Sequence, residues 1–121
     1  MQLLIILCTF PDAAAARSAG ETLVNEGLIA CVNILPAVES VYRWEGKVET
    51  GSEVLAVMKT PDTHWAALEQ RLSGIHPYQV PEIVALPAAA VTQSYLQWAV
   101  DSVADLTAPA AADAEARYDV T

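Results

Sequence analysis

The sequence predicts an α+β domain of ferredoxin-like topology, β-α-β-β-α-β, with an extra C-terminal helix and a long hairpin between its second and third strands. Three observations point there. Leu3 to Cys8 is a short continuous apolar run, as in a central strand buried on both faces. Residues 31–60 read as one hairpin of β-branched and aromatic residues around a Glu45-Gly46 turn. Two helical stripes follow the strands in the order of a split βαβ unit.

Each element has local support. Pro11-Asp12 marks the start of a helix over Ala13 to Glu26, with a carboxylate at the positive end of its dipole. Ala16, Ala19, Leu23 and Val24 form its stripe, and Gly27 stops it. Leu28 to Leu35 is strand-like up to Pro36, and Glu39 to Trp44 resumes it. Beyond the turn, Gly51-Ser52 allows a bulge before Val54 to Thr60 continues. Thr60 and Pro61 are expected to cap and open a second helix, with Trp65, Leu68, Leu72 and Ile75 on one face and Gly74 at its end. Ile83 to Leu86 forms the fourth strand between Pro81 and Pro87. Ser94 caps a third helix with the stripe Tyr95, Leu96, Ala99, Val103 and Leu106. The domain spans residues 1–106, and residues 107–121 are expected to form a mobile C-terminal tail.

Composition narrows the function. With 121 residues, 54% of them hydrophobic, the chain suffices for one buried core. Six Lys and Arg against fifteen Asp and Glu leave a net charge of −9. That charge disfavours nucleic acid and polyanionic membrane surfaces as partners. No apolar run approaches the ~20 residues of a bilayer span, and the first residues lack the basic start of a signal peptide. A cytoplasmic protein is expected. Cys8 and Cys31 read as reduced, buried thiols.

Each hairpin arm, at strand rise, is ~45 Å long, against a radius of gyration of ~13 Å for a domain of this size. The tip must project, and it carries Val41, Tyr42 and Trp44. A second subunit covering Tyr42 and Trp44 is the expected reason; folding back at Pro36 and Gly51 is the alternative. The residues offering chemistry are few. Gly74 to Glu82 is a rigid loop in which two prolines hold His76, Tyr78 and Glu82 in fixed directions. In a structural reading His76 caps the second helix and Glu82 pairs with a cation. Cys8 ends the first strand; if it met His76, thiolate and imidazole would suit copper(I) or zinc. Such contact does not follow from the order of strands, since the first and last are not expected to be central neighbours. His64 is expected to be exposed and without a role.

Four motifs carry a family resemblance: Cys8-Thr9-Phe10-Pro11-Asp12; Leu28-Ile29-Ala30-Cys31-Val32-Asn33-Ile34-Leu35-Pro36; Tyr42-Arg43-Trp44-Glu45-Gly46-Lys47-Val48-Glu49; and His76-Pro77-Tyr78-Gln79-Val80-Pro81-Glu82. In order and spacing, over about residues 3 to 106, the chain resembles the CutA family of divalent-cation tolerance proteins. The resemblance implies a tight homotrimer of ferredoxin-like subunits, with Tyr42 and Trp44 at the trimer interface. It implies a non-enzymatic protein of the response to metal ions. It makes Cys8 and His76 metal ligands, with Glu82 a further candidate, for copper or another divalent metal such as zinc. Some members carry a second histidine where this chain has Ile75, so one donor is missing here.

The alternative is a trimeric signalling or scaffold protein that binds a partner protein or small ligand without metal. Nucleotide binding in the manner of the PII regulators finds little support. Their long loop between strands two and three is reduced here to Glu45-Gly46, with Arg43 and Lys47 the basic residues near it. Acylphosphatase chemistry is disfavoured, because Thr9-Phe10-Pro11-Asp12 replaces an anion cradle with a proline and a carboxylate.

Overall fold

The computed structural model describes residues 1–106, so the expected tail at 107–121 lies outside the described residues. The chain runs β1 (Leu3–Phe10), α1 (Ala13–Asn25), β2 (Cys31–Trp44), β3 (Lys47–Pro61), a 3-10 turn (Asp62–His64), α2 (Trp65–Ile75), β4 (Val84–Pro87) and α3 (Gln93–Ser102). The four strands form one antiparallel sheet in the order β2-β3-β1-β4. This is the ferredoxin-like arrangement. It corrects one expectation: β1 and β4 are neighbours, with Leu7 opposite Val84. Because they run antiparallel, the loop ahead of β4 is delivered to the C-terminal end of β1.

Local chemistry explains most boundaries. The Asp12 side chain accepts the Ala15 N–H at 2.8 Å and caps α1. The hairpin turns on Glu45 (φ 48°) and Gly46 (φ 80°), a two-residue turn with both φ values positive that matches strand twist. The second helix begins differently from expectation. Thr60 and Pro61 remain in β3, and the Thr60 hydroxyl donates to the Leu28 carbonyl at 2.8 Å instead of capping a helix. α3 begins at Gln93, so Ser94 lies inside it and Thr92 takes the cap position without a side-chain hydrogen bond. Gly74 lies inside α2 and does not end it. A Cβ on Gly74 would meet nothing within 4 Å. Gly74→Ala is therefore expected to stabilise the chain by ~0.4–1 kcal/mol, read as a higher midpoint in urea.

The main core lies between α1, α2 and one face of the sheet. Ile6, Cys8 and Phe10 of β1 and Val54, Ala56 and Met58 of β3 meet Ala16, Ala19 and Leu23 of α1 and Leu68 and Leu72 of α2. The opposite face receives α3 at one end only, where Ala99 packs with Leu3 and Ala30. Among the described residues, the rest is free of helices. By register it presents Ile5 and Leu7 from β1, Leu55 and Val57 from β3, Leu35 from β2, and Val84 and Leu86 from β4. Leu35, Val84 and Leu86 are exposed, and the other four are half-buried. The apolar continuity of β1 has its explanation here: both of its faces carry apolar side chains, but the described helices cover mainly one.

The hairpin is regular except at one place. Leu35 pairs with Leu55 and Val38 with Glu53, so Pro36 and Ala37 together oppose Val54. The bulge is thus at Pro36, not at Gly51-Ser52, where Gly51 pairs regularly with Ser40. Pro36 donates no N–H to a ladder, and the bulge accommodates it. The extra residue also shifts the alternation of side chains. Val38, Ser40, Tyr42 and Trp44 join the face that holds Leu35, Leu55 and Val57. Residues 41–50 are all exposed, as the projecting tip requires, with Val41 at 65% and Trp44 at 40%.

Candidate functional site

The loop after α2 packs on the end of β1 and builds the one concentration of perturbed groups around the expected site residues. His76 is buried and stacked on Phe10, ring centroids 4.5 Å apart. Its Nε2 lies 2.8 Å from the Thr9 carbonyl, and its Nδ1 lies 3.0 Å from the Tyr78 backbone nitrogen. A carbonyl only accepts and a backbone N–H only donates, so Nε2 carries the proton and Nδ1 accepts. The ring is neutral in this arrangement, and both nitrogens are occupied. Burial lowers its pKa, although the Thr9 carbonyl and the Glu53 carboxylate pull the other way.

Tyr78 continues the network. Its hydroxyl donates to Glu53 Oε2 at 2.7 Å. Burial pushes the phenol pKa up, and the bond to Glu53 adds to this. Burial alone would raise the Glu53 pKa; hydrogen bonds from Ser40, Tyr78 and Thr9, with His76 nearby, hold it below the ordinary range. Glu53 is therefore an anion tied to the loop, the hairpin and β1 at once. Beside it opens a cleft of about 930 Å³, with Tyr42, Trp44 and Glu39 on the hairpin side and Tyr78, Val80 and Glu82 on the loop side. Its size falls within the range of small-molecule sites.

These shifts set a pH dependence. His76 takes up its proton at lower pH folded than unfolded, so its contribution is complete above the ordinary value of 6.5 and lost as pH falls below it. Glu53 has the same sign: its contribution is complete above 4.5 and lost at lower pH. The stability of metal-free protein is expected to fall in two stages on acidification. Urea titrations at several pH values check this, and His76→Gln should remove the first stage.

The expected metal ligands fare unevenly. The structure brings Cys8 and His76 to the same carbonyl: Cys8 Sγ lies 4.0 Å from the Thr9 oxygen that His76 holds. Cys8, however, faces the core fully buried, and burial, with the Glu82 charge as a lesser cause, pushes its thiol up to about 12. Glu82 is exposed at the cleft. In the metal-free chain the thiol keeps its proton and both imidazole nitrogens are engaged, so copper(I) or zinc would have to displace the Sγ proton and the Tyr78 N–H from Nδ1. Among the described residues no group of three or more His, Cys, Asp and Glu is positioned to hold a metal ion. Within one chain, Cys8, His76 and Glu82 thus do not fit a metal as they stand.

Comparison with known proteins identifies the lineage. The model of the CutA1 divalent ion tolerance protein family matches residues 4–102. The chain belongs to this family. CutA relatives include the divalent-cation tolerance protein CutA of Thermus thermophilus, 45% identical over 94 residues that make up 78% of this chain and 91% of that one. The chloroplastic protein CutA of Arabidopsis thaliana is 39% identical over 99 residues, 82% of this chain but 54% of that protein. The crystal structure of CutA1 from Oryza sativa superposes with a TM-score of 0.83 at 37% identity, covering 87% of this chain and 96% of that one. The CutA1 fold is therefore shared along nearly the whole described region.

Two parts of the structure around the candidate site escaped the sequence reading. Glu53 lies in a strand outside the four motifs, and Thr9, although within the first of them, shows no role until the fold brings both to His76 and Tyr78. The helix-free face was detectable in principle, because a strand apolar on both sides needs two covers and α1 and α2 supply one.

Proposed function

We propose that this chain is a non-catalytic, cytoplasmic homotrimer of the response to divalent metal ions, copper among them. The observation that supports assembly is the helix-free face of Ile5, Leu7, Leu35, Leu55, Val57, Val84 and Leu86. Burying it against copies of the same chain removes apolar area from water, and the projecting tip with Tyr42 and Trp44 reaches toward those copies. The trimer itself rests on the resemblance to CutA. The metal half of the reading is supported by the name that relatives carry, divalent-cation tolerance protein, with Cys8, His76 and Glu82 as its ligand candidates. No helix among the described residues is long and apolar enough to cross a membrane.

A second reading is favoured by the engagement of both His76 nitrogens. In it the trimer is a signalling or scaffold protein that takes a partner protein or small ligand at the cleft without metal.

Native mass spectrometry with copper(I), zinc and chelator in parallel separates these. A trimer carrying whole-number metal that disappears in Cys8→Ala or His76→Ala supports the first reading. A metal-free trimer throughout overturns its metal half and supports the second. A monomer of 12.9 kDa overturns assembly in both. The charge of −9 per chain, tripled to −27, draws cations to the particle without a site, so only stoichiometric, mutation-sensitive metal counts. Trp44→Ala is expected to weaken the assembly while leaving the circular dichroism of the subunit unchanged; an equally stable trimer would place the tip outside the interface.

A further inference from the structure

We propose that residues 103–106 form a strap, latched at Ala104, that holds α3 down over the Cys31 thiol and governs access to it. The inference does not depend on the trimer or the metal. Ala104 is gripped through both of its backbone groups. Its N–H donates to the Gly27 carbonyl at 2.9 Å, and its carbonyl accepts from His64 Nε2–H at 2.7 Å. His64 Nδ1 is then the acceptor, and the Thr63 hydroxyl donates to it at 2.9 Å. His64 is 5% exposed, against the surface position expected of it. A buried imidazole with both nitrogens satisfied is a built contact. The other jaw is as specific. Gly27 has φ 72°, and a Cβ there would stand 2.6 Å from the Ala104 nitrogen. Only glycine lets the strap approach this closely.

What the latch secures is a light cover. α3 has ten residues, no side-chain bond at its N-cap and only Ala99 fully buried. A helix so short is not stable by itself, and its cluster with Leu3 and Ala30 is small. Such an element opens locally at lower free energy than the main core. Beneath it, the Tyr95 hydroxyl lies 3.3 Å from Cys31 Sγ, and Cys31 is half-buried where Cys8 is fully buried. The strap follows α3 directly, so releasing Ala104 loosens the C-terminal end of the cover, which Val103 still helps to pack, without touching the core between α1, α2 and the sheet.

The test labels native protein with N-ethylmaleimide and resolves the two cysteines by peptide mass spectrometry, with Cys8 as the internal reference. His64→Ala is expected to speed Cys31 labelling about tenfold, the effect of one lost hydrogen bond on an opening equilibrium, with Cys8 unchanged. His64→Gln keeps an N–H donor and is expected to stay near wild type. Ala104→Pro removes the N–H given to Gly27 and sets a ring carbon against its carbonyl, and Val103 before it is already extended, as a following proline requires. It is expected to act as His64→Ala does, and it carries the test if His64→Ala fails to fold. Unchanged Cys31 labelling in the folded variants, or equal acceleration of Cys31 and Cys8, overturns the latch.

Discussion

Leu35→Asp is expected to yield a folded monomer of 12.9 kDa on size exclusion with light scattering. Leu35 is 42% exposed in the single chain, so an aspartate there keeps its water and costs the subunit little. In the proposed trimer the same position lies within the covered face, next to Leu55 on the neighbouring strand. Burying an unpaired carboxylate there costs several kcal/mol per subunit, and a symmetric assembly repeats that cost at every copy. Leu35→Asn, polar but uncharged, should weaken assembly less. A Leu35→Asp protein that remains oligomeric at micromolar concentration would mean that copies meet elsewhere.

The second large effect is expected at Phe10. Its ring is fully buried between the main core and His76. Phe10→Ala removes core volume and the platform on which the imidazole rests, and is expected to cost about 3–5 kcal/mol in urea unfolding. Against a usual total of about 5–15 kcal/mol, that is a large share. The loss should be accompanied by faster amide exchange at Tyr78, whose N–H is held by His76 Nδ1. Phe10→Leu keeps most of the volume and none of the stacking. If both variants exchange Tyr78 at the wild-type rate, the loop is held by Glu53 and not by the ring.

Much of the fold was legible because its boundaries are written in residues with narrow backbone or capping preferences: Asp12 at the start of α1, Glu45-Gly46 at the tip, Gly27 after α1. Expectations failed where a long-range partner overrode a local preference. Thr60 has the chemistry of a cap, but the Leu28 carbonyl, distant in sequence, takes its hydroxyl. His64 looks like a surface residue until the Ala104 carbonyl arrives to accept a hydrogen bond from its Nε2–H. The site followed the same division. Its loop stood out through two prolines around His76 and Tyr78. The partners that fix their protonation, the Thr9 carbonyl and the Glu53 carboxylate, come from strands whose pairing no local signal gives.

The bulge at Pro36 makes the hairpin a counting device. Because side chains alternate with period two, every residue between the bulge and the tip is assigned to a face by odd or even position. Loss of Ala37 alone would remove the bulge and set Pro36 opposite Val54, while Val38, Tyr42 and Trp44 would keep Glu53, Glu49 and Lys47 as partners and so keep their face. Loss of Pro36 as well would set Val38 opposite Val54 and turn Tyr42 and Trp44 to the other face. The bulge is therefore a one-residue buffer: it absorbs a single loss at this point of the arm, and a second would invert the surface the tip presents without unfolding the domain beneath it.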